Sequence, residues 1–204
     1  MRVAARELGV RLGGRVVFAS LSFAWEGPGV VAVTGANGSG KTTLLKVLAG
    51  LLEPGRGAVE WTENGRVLKP AMARARLGFV SPEIGLYEDL SALENLAFFA
   101  RARGQAWSGA DGERWLVRLG LEGRGHERLA GYSSGMKQRV KLAFALMANP
   151  GLVLLDEPGS NLDQAGRALL ARLVVEAAQG ALVVVATNDP AEAAWAASKV
   201  ELAA

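Results

Sequence analysis

The sequence contains no cysteine, which excludes disulfides, thiolate metal sites and cysteine nucleophiles together. A single histidine, His126, leaves no histidine cluster to hold a metal, and its Gly/Arg/Glu-rich surroundings read as a surface loop. Long apolar runs are missing as well: stretches such as residues 152–155 and 182–186 fall far short of the roughly 20 residues that cross a bilayer. Nor is there a secretion signal, since Met1-Arg2-Val3 leads directly into strand-like sequence. These absences point to a soluble, cytoplasmic chain. Charge of one sign is scarce too, with 23 Lys and Arg against 20 Asp and Glu, well interspersed. That balance argues for solvated surface, serviceable beside anionic lipid, and against a nucleic-acid-binding stripe.

What remains is 204 residues, half of them apolar, enough for one compact domain with a core and too few for two ordinary ones. The first stretch alternates with a strand period, with Leu21, Phe23 and Trp25 on one side and Ser20, Ser22 and Ala24 on the other. Residues 58–68 read as a hairpin in which Glu63-Asn64-Gly65-Arg66 turns the chain, because Asn-Gly accepts the positive backbone angles of a tight turn. Both belong to one small antiparallel β layer, assigned to residues 1–30 and 55–70.

Four runs, residues 30–33, 77–80, 152–155 and 182–186, are continuously apolar, which suits strands buried on both faces of a mainly parallel sheet. Helices fall between them. Residues 41–49 end at Gly50, a good cap, and residues 137–148 end at Asn149-Pro150, with Val140, Ala143, Phe144 and Met147 on one buried stripe. The fold class is therefore α/β, with the core of the domain over residues 31–54, 71–82 and 132–204. Residues 83–131, poor in strand formers, are expected to be a helical subdomain, and residues 190–204 a short closing helix.

Gly35-Ala36-Asn37-Gly38-Ser39-Gly40-Lys41-Thr42 matches the phosphate-loop pattern G-x-x-x-x-G-K-[ST] between a buried strand and an amphipathic helix. Gly35, Gly38 and Gly40 let the backbone wrap close to phosphate oxygens, so that successive N–H groups and the helix N-terminus face the anion. Lys41 adds a full charge at the β- and γ-phosphates, the Thr42 hydroxyl can ligate Mg²⁺, and Thr43 completes the cradle. Such a loop serves kinases, GTPases, helicases and transport ATPases alike.

Further along stand Tyr132-Ser133-Ser134-Gly135-Met136-Lys137-Gln138-Arg139, then Leu152-Val153-Leu154-Leu155-Asp156-Glu157-Pro158, then Ser160-Asn161-Leu162-Asp163. In this order, and over essentially its whole length, the chain resembles the ABC ATPase family, whose signature Leu-Ser-Gly-Gly-Gln survives here as Ser133 and Gly135. Ser133-Ser134 would cap the following helix, whose N-terminus offers free N–H groups to an anion. The resemblance implies a P-loop NTPase of ABC architecture that binds ATP and Mg²⁺. It further implies a head-to-tail dimer, in which Ser133, Ser134 and Gly135 meet the γ-phosphate held by the other subunit and Asp163 lies at the seam. That partner is either an identical chain or a related ATPase. Asp156, ending its strand, would hold Mg²⁺ through water, and Glu157 would take a proton from the attacking water. As neighbours on a strand, the two carboxylates would point to opposite faces.

Three positions depart from the family. Transport ATPases carry a switch histidine in Thr-His-Asp, where this chain has Thr187-Asn188-Asp189; Asn188 can donate one amide hydrogen bond to a γ-phosphate but carries no charge, so turnover should be slow. At the glutamine-loop position stands Pro82, without a side-chain ligand, so that either Glu83 or Ser81 approaches Mg²⁺ or Pro82 is a purely structural hinge. Where an aromatic ring usually stacks on adenine, Leu12 stands; Phe18 is the nearest alternative, and it equally reads as core.

The resemblance implies an ATPase subunit that drives a separate integral membrane subunit from the inner face of the cell membrane. Leu86, Tyr87, Leu90, Phe98 and Phe99 line a docking groove or form the insertion's own small core. Residues 86–96 are similar to cytochrome c maturation haem-exporter subunits, which suggests haem as cargo. A soluble non-transport ABC ATPase and a slowly hydrolysing nucleotide-gated clamp remain alternatives.

Overall fold

The computed structural model describes residues 1–202. In chain order the elements are β1 (Arg2–Leu12), β2 (Arg15–Glu26), β3 (Gly29–Thr34), α1 (Lys41–Leu48), β4 (Arg56–Glu63), β5 (Arg66–Leu68), α2 (Pro70–Ala75), β6 (Leu77–Val80), α3 (Ala92–Ala102), α4 (Gly109–Arg118), α5 (Ser134–Leu146), β7 (Leu152–Asp156), α6 (Gln164–Ala177), β8 (Leu182–Ala186), α7 (Pro190–Ala193) and β9 (Ser198–Glu201).

Two sheets result. An antiparallel sheet has the order β2-β1-β4-β5, and a five-stranded sheet the order β6-β7-β8-β3-β9, whose neighbours all run parallel. Asn64 (φ 51) and Gly65 (φ 75) close the β4–β5 hairpin, pairing Glu63 with Arg66 as the sequence anticipates. The parallel sheet begins at Gly29, so Gly29 and Val30 leave the antiparallel layer slightly before residue 30.

Strand alternation divides the core. Val80, Val153, Leu155, Val183 and Val185 face one side, packed with α5, α6 and the helical insertion. Leu77, Leu152, Leu154, Leu182 and Val184 face the other, packed with α1 and the antiparallel layer. Each residue of β7 and β8 is buried, as strands covered on both faces require. Helix α5 approaches β6 so closely that a β-carbon on Gly78 would stand 1.9 Å from the Ala145 carbonyl oxygen. Trp61 donates its indole N–H to Leu48 O at 3.0 Å, tying the antiparallel layer to the end of α1.

The insertion is helical, with α3 and α4 each opened by a reciprocal capping box, Ser91 with Glu94 and Ser108 with Asp111. Buried Asn95 exchanges hydrogen bonds with both backbone groups of Tyr87 and so fixes the segment leading into α3.

The tail departs from expectation. Helix α7 covers only Pro190–Ala193, and Ser198–Glu201 forms edge strand β9 beside β3, with Val31 opposite Ser198. Its lone apolar strand position, Val200, packs into the core, a signal too brief to separate strand from helix in sequence. Ala203 and Ala204, part of the expected closing helix, lie outside the described residues.

Candidate functional site

The C-terminal ends of β3, β7 and β8 lie side by side, since Val33 pairs with Ala186 and Ala186 with Asp156. In open parallel sheets ligands bind at this edge. The loop leaving β3 is residues 35–40, in which Gly35 (φ 143), Gly38 (φ 83) and Gly40 (φ 97) occupy backbone conformations that side chains resist. At Gly40 a β-carbon would also stand 2.5 Å from Val17 Cγ1, and at Gly35 it would stand 2.5 Å from Leu202 O.

Within this loop Lys41 is almost fully buried and donates to Gly35 O at 2.9 Å and Ala36 O at 3.2 Å, while Glu157 lies 3.5 Å away. Its ammonium is thus held over the concavity by carbonyls that a phosphate can replace. Ser39 is buried with its hydroxyl unpaired. Thr43, half-buried, follows in the first turn of α1. Asn37 Oδ1 accepts from Asn188 Nδ2 at 2.9 Å, so the residue in the switch position touches the phosphate loop of its own chain.

Asp156 ends β7 at 1% exposure. Its Oδ2 accepts from the Thr42 hydroxyl at 2.7 Å, and its Oδ1 is buried without a partner. Burial raises the Asp156 pKa, opposed by the Thr42 hydrogen bond and assisted by the nearby Glu157 charge. An ionised carboxylate with an orphaned oxygen beside a threonine hydroxyl is the donor set a hard divalent cation such as Mg²⁺ takes.

Glu157 lies just beyond the strand, not on it. Its backbone is left-handed (φ 46) and its N–H donates to Ala186 O at 2.8 Å. How the two carboxylates point is therefore set by a left-handed turn, and not by strand alternation as the sequence suggests. Non-glycine residues in this conformation cluster at functional sites.

The signature lies at the start of α5. Ser133 caps that helix, its hydroxyl accepting from Met136 N at 3.2 Å, and Gly135 permits Asn161 O within 2.8 Å of where a β-carbon would stand. Buried Gln138 donates to Pro158 O at 2.9 Å. Gly135 and Gln138 thus tie the start of α5 to the Pro158–Asp163 turn. Asp163 caps α6 by accepting from Gly166 N at 2.7 Å and also faces Arg139 at 3.2 Å, leaving its side chain largely exposed.

The departures resolve individually. Glu83 pairs with Lys46 at 2.8 Å, Pro82 O accepts from Lys141 Nζ at 3.1 Å, and buried Ser81 accepts from Glu83 N at 3.2 Å. Leu12 is 47% exposed, whereas Phe18 packs into the core beside Gly40. Leu86 and Phe99 join the core, with Phe99 stacked on Phe144, while Tyr87 and Phe98 remain exposed in edge contact at 4.9 Å. His126 is exposed on its loop. Sequence reasoning missed Glu192, buried beside Gly159; a lone acid in an alanine-rich tail carries no periodic signal.

The model of the ABC transporter family matches residues 18–160. The chain is 38% identical over 191 residues to the cytochrome c biogenesis ATP-binding export protein CcmA of Mesorhizobium japonicum, covering 93% of each. It is 39% identical over 200 residues to the lipoprotein-releasing system ATP-binding protein LolD of Chromohalobacter salexigens, covering 93% of this chain and 78% of that one. Among solved structures it matches an ATP-binding subunit of an ABC transporter at a TM-score of 0.85 and 31% identity, over 99% of this chain and 86% of the other. A second match, at 0.85 and 25% over 98% and 94%, is an ATP-binding cassette solved as a dimer in a post-hydrolysis state with ADP and phosphate. Matched by the family model over most of its length and by relatives over nearly all of it, this chain belongs to the ABC transporter family and is one of its ATP-binding, ATP-hydrolysing subunits.

Proposed function

We propose that the chain binds MgATP in the cradle of Gly35–Thr43, closes head-to-tail on a second ATPase chain, and hydrolyses the nucleotides to drive a separate membrane subunit of an export system. The observation that carries the reading is the Thr42–Asp156–Glu157 cluster. It combines a paired hydroxyl and carboxylate, an orphaned buried oxygen and a strained acid 3.5 Å from the phosphate-loop lysine.

In this scheme the backbone N–H groups of residues 35–42 hold the phosphates and Lys41 exchanges its loop carbonyls for β- and γ-oxygens. Thr42 and Asp156 hold Mg²⁺, which when bound neutralises charge on the transferred phosphoryl group. Glu157 orients water and takes its proton as the water oxygen bonds to the γ-phosphorus; the bond from that phosphorus to the β,γ-bridging oxygen breaks, and ADP and phosphate leave with the proton. Asn188, released from Asn37, donates one amide N–H to a γ-oxygen.

Among the described residues no hydrogen bond joins Ser133, Ser134 or Gly135, at the start of α5, to the chain's own phosphate loop. That placement supports a shared site in which they face the partner's γ-phosphate, with Asp163 at the seam. An identical partner is the simplest, because one chain carries both half-sites.

Among the described residues no helix is long and apolar enough to cross a membrane; in this reading a separate spanning subunit carries the transport path. A groove of about 280 Å³ lined by Leu51, Phe79, Ile84, Phe99, Arg103 and Phe144, with Tyr87 and Phe98 exposed nearby, supports docking against such a subunit on the inner face of the membrane. The relatives' names suggest export, and CcmA suggests haem for cytochrome c maturation as the cargo.

Asn188 in place of a cationic switch favours a second, slower regime, a nucleotide-gated clamp that turns over rarely. Phosphate release by wild type, Glu157→Gln and Asn188→His tests the scheme: equal rates in all three overturn both residue roles. Detergent co-purification with a membrane protein tests the transport assignment, and a chain that purifies alone from membranes containing its genomic neighbours argues against it.

A further inference from the structure

Glu192 is a buried carboxyl that the hydrolysis scheme leaves unused. It lies on α7 at 4% exposure, and its Oε1 fills the space a side chain at residue 159 would take: a β-carbon on Gly159 would stand 1.9 Å from Oε1 and 3.1 Å from Cδ. Its Oε2 is buried without a partner. The Thr187 hydroxyl, whose proximity works to lower the carboxyl's pKa, accepts from Asp189 N at 3.0 Å. The charged groups facing it are Asp189, Glu157 and Arg167, of which Arg167 is paired with Asp189. Burial raises its pKa, opposed by the Thr187 hydroxyl, and the two acids add to the rise.

Filling space would be served better by leucine, which desolvates no polar oxygen. What the carboxyl touches is more specific. Gly159 is in the turn that leaves Glu157, and Thr187 immediately precedes Asn188. The two segments meet directly through Glu157 N and Ala186 O at 2.8 Å, and Glu192 braces them a second time from behind.

We propose that Glu192 is a positioning residue whose buried carboxyl, wedged against Gly159 on the same side as the Thr187 hydroxyl, locks the Glu157 turn to the Asn188 segment so that both meet the same γ-phosphate. The proposal rests on the roles assigned above to Glu157 and Asn188. It specifies a polar group of fixed shape and reach, which glutamine supplies and alanine does not.

The test compares Glu192→Ala, Glu192→Gln, Gly159→Ala and the double variant, reading phosphate release at saturating ATP and equilibrium binding of a fluorescent ATP analogue. A misplacement of about 1 Å can cost up to about a hundredfold in rate, so Glu192→Ala should lose at least about tenfold in kcat with nucleotide affinity within about twofold. Glu192→Gln should recover most of that loss. Gly159→Ala pushes a methyl group into the carboxyl and should reproduce the alanine phenotype, and the double variant should be no slower than Glu192→Ala alone, because the carboxyl is already gone. Wild-type kcat in Glu192→Ala, a loss that glutamine does not recover, or multiplying losses in the double variant would each overturn the proposal. Wild type and Glu157→Gln run alongside separate the two levels. If those two turn over alike, the Glu157 assignment has failed; if they differ while Glu192→Ala matches wild type, only the positioning role has.

Discussion

Replacing Glu157 with glutamine isolates one function of one side chain. Gln keeps the size and the left-handed backbone (φ 46), so the strain of roughly 1–2 kcal/mol is present in both proteins and cancels. The ion pair with Lys41 at 3.5 Å is lost, but Glu157 is 28% exposed, and partly solvated pairs of this kind are worth about 1 kcal/mol or less. Lys41 keeps both loop carbonyls, so the phosphate cradle is intact. Thermal stability should therefore shift by no more than about 2–4 °C.

What disappears is the group proposed to accept the proton of the attacking water. General-base catalysis supplies about 10²–10⁴-fold, or about 3–5 kcal/mol at 1.36 kcal/mol per decade. Steady-state phosphate release at saturating ATP should fall by that factor, while the affinity for a fluorescent ATP analogue stays level or tightens, because one negative charge near the γ-phosphate is gone. Slow cleavage should also let the nucleotide-bound dimer accumulate, visible as a doubling of mass in light scattering with MgATP. A kcat within about threefold of wild type, far below the general-base range, would refute the reasoning, since the proton would then be leaving by another route.

Asp156→Asn should abolish Mg²⁺-dependent tightening of ATP binding yet raise the melting temperature of the nucleotide-free protein by a few degrees, about 1 kcal/mol of relieved charge burial; isothermal calorimetry and thermal melting measure the two. Because burial holds the Asp156 pKa above its ordinary 3.8, the ionised form is disfavoured in the folded apo chain. Apo stability from this group is therefore gained as pH falls through the folded pKa, and Mg²⁺ binding, which needs the carboxylate, is lost in the same window. A pH series of both quantities with Asp156→Asn as control should show the opposite slopes in wild type alone. Asn188→His should raise kcat by about tenfold or more by placing a donor able to carry charge near the γ-phosphate, with no effect in the Glu157→Gln background. Gly78→Ala forces a β-carbon to 1.9 Å from the Ala145 carbonyl and should cost about 3 kcal/mol or more in denaturant unfolding, whereas Gly123→Ala, with no atom within 4 Å of its β-carbon, should cost only the roughly 1–2 kcal/mol of its left-handed backbone.

The sequence by itself determined the architecture wherever burial is complete or a turn needs a particular residue. Strands β7 and β8 are legible because each of their positions is covered on both faces, and the β4–β5 turn is legible because Asn64-Gly65 tolerates positive φ. The phosphate loop is legible for a similar reason: close backbone approach dictates glycine, and phosphate charge dictates lysine. These are local constraints, written into neighbouring residues. Tertiary structure alone decided the rest. Edge strand β9 exists because β3 offers it a parallel partner, not because residues 198–201 alternate. The Glu157 turn owes its left-handed backbone to the Ala186 carbonyl, some thirty residues away in the chain. Phe18 faces the core beside Gly40, and Asn188 reaches Asn37, through strand pairings that join distant segments. Glu192 shows the limit most plainly. Nothing adjacent in sequence marks it, and only the packing of α7 against the Gly159 turn makes a buried acid of it.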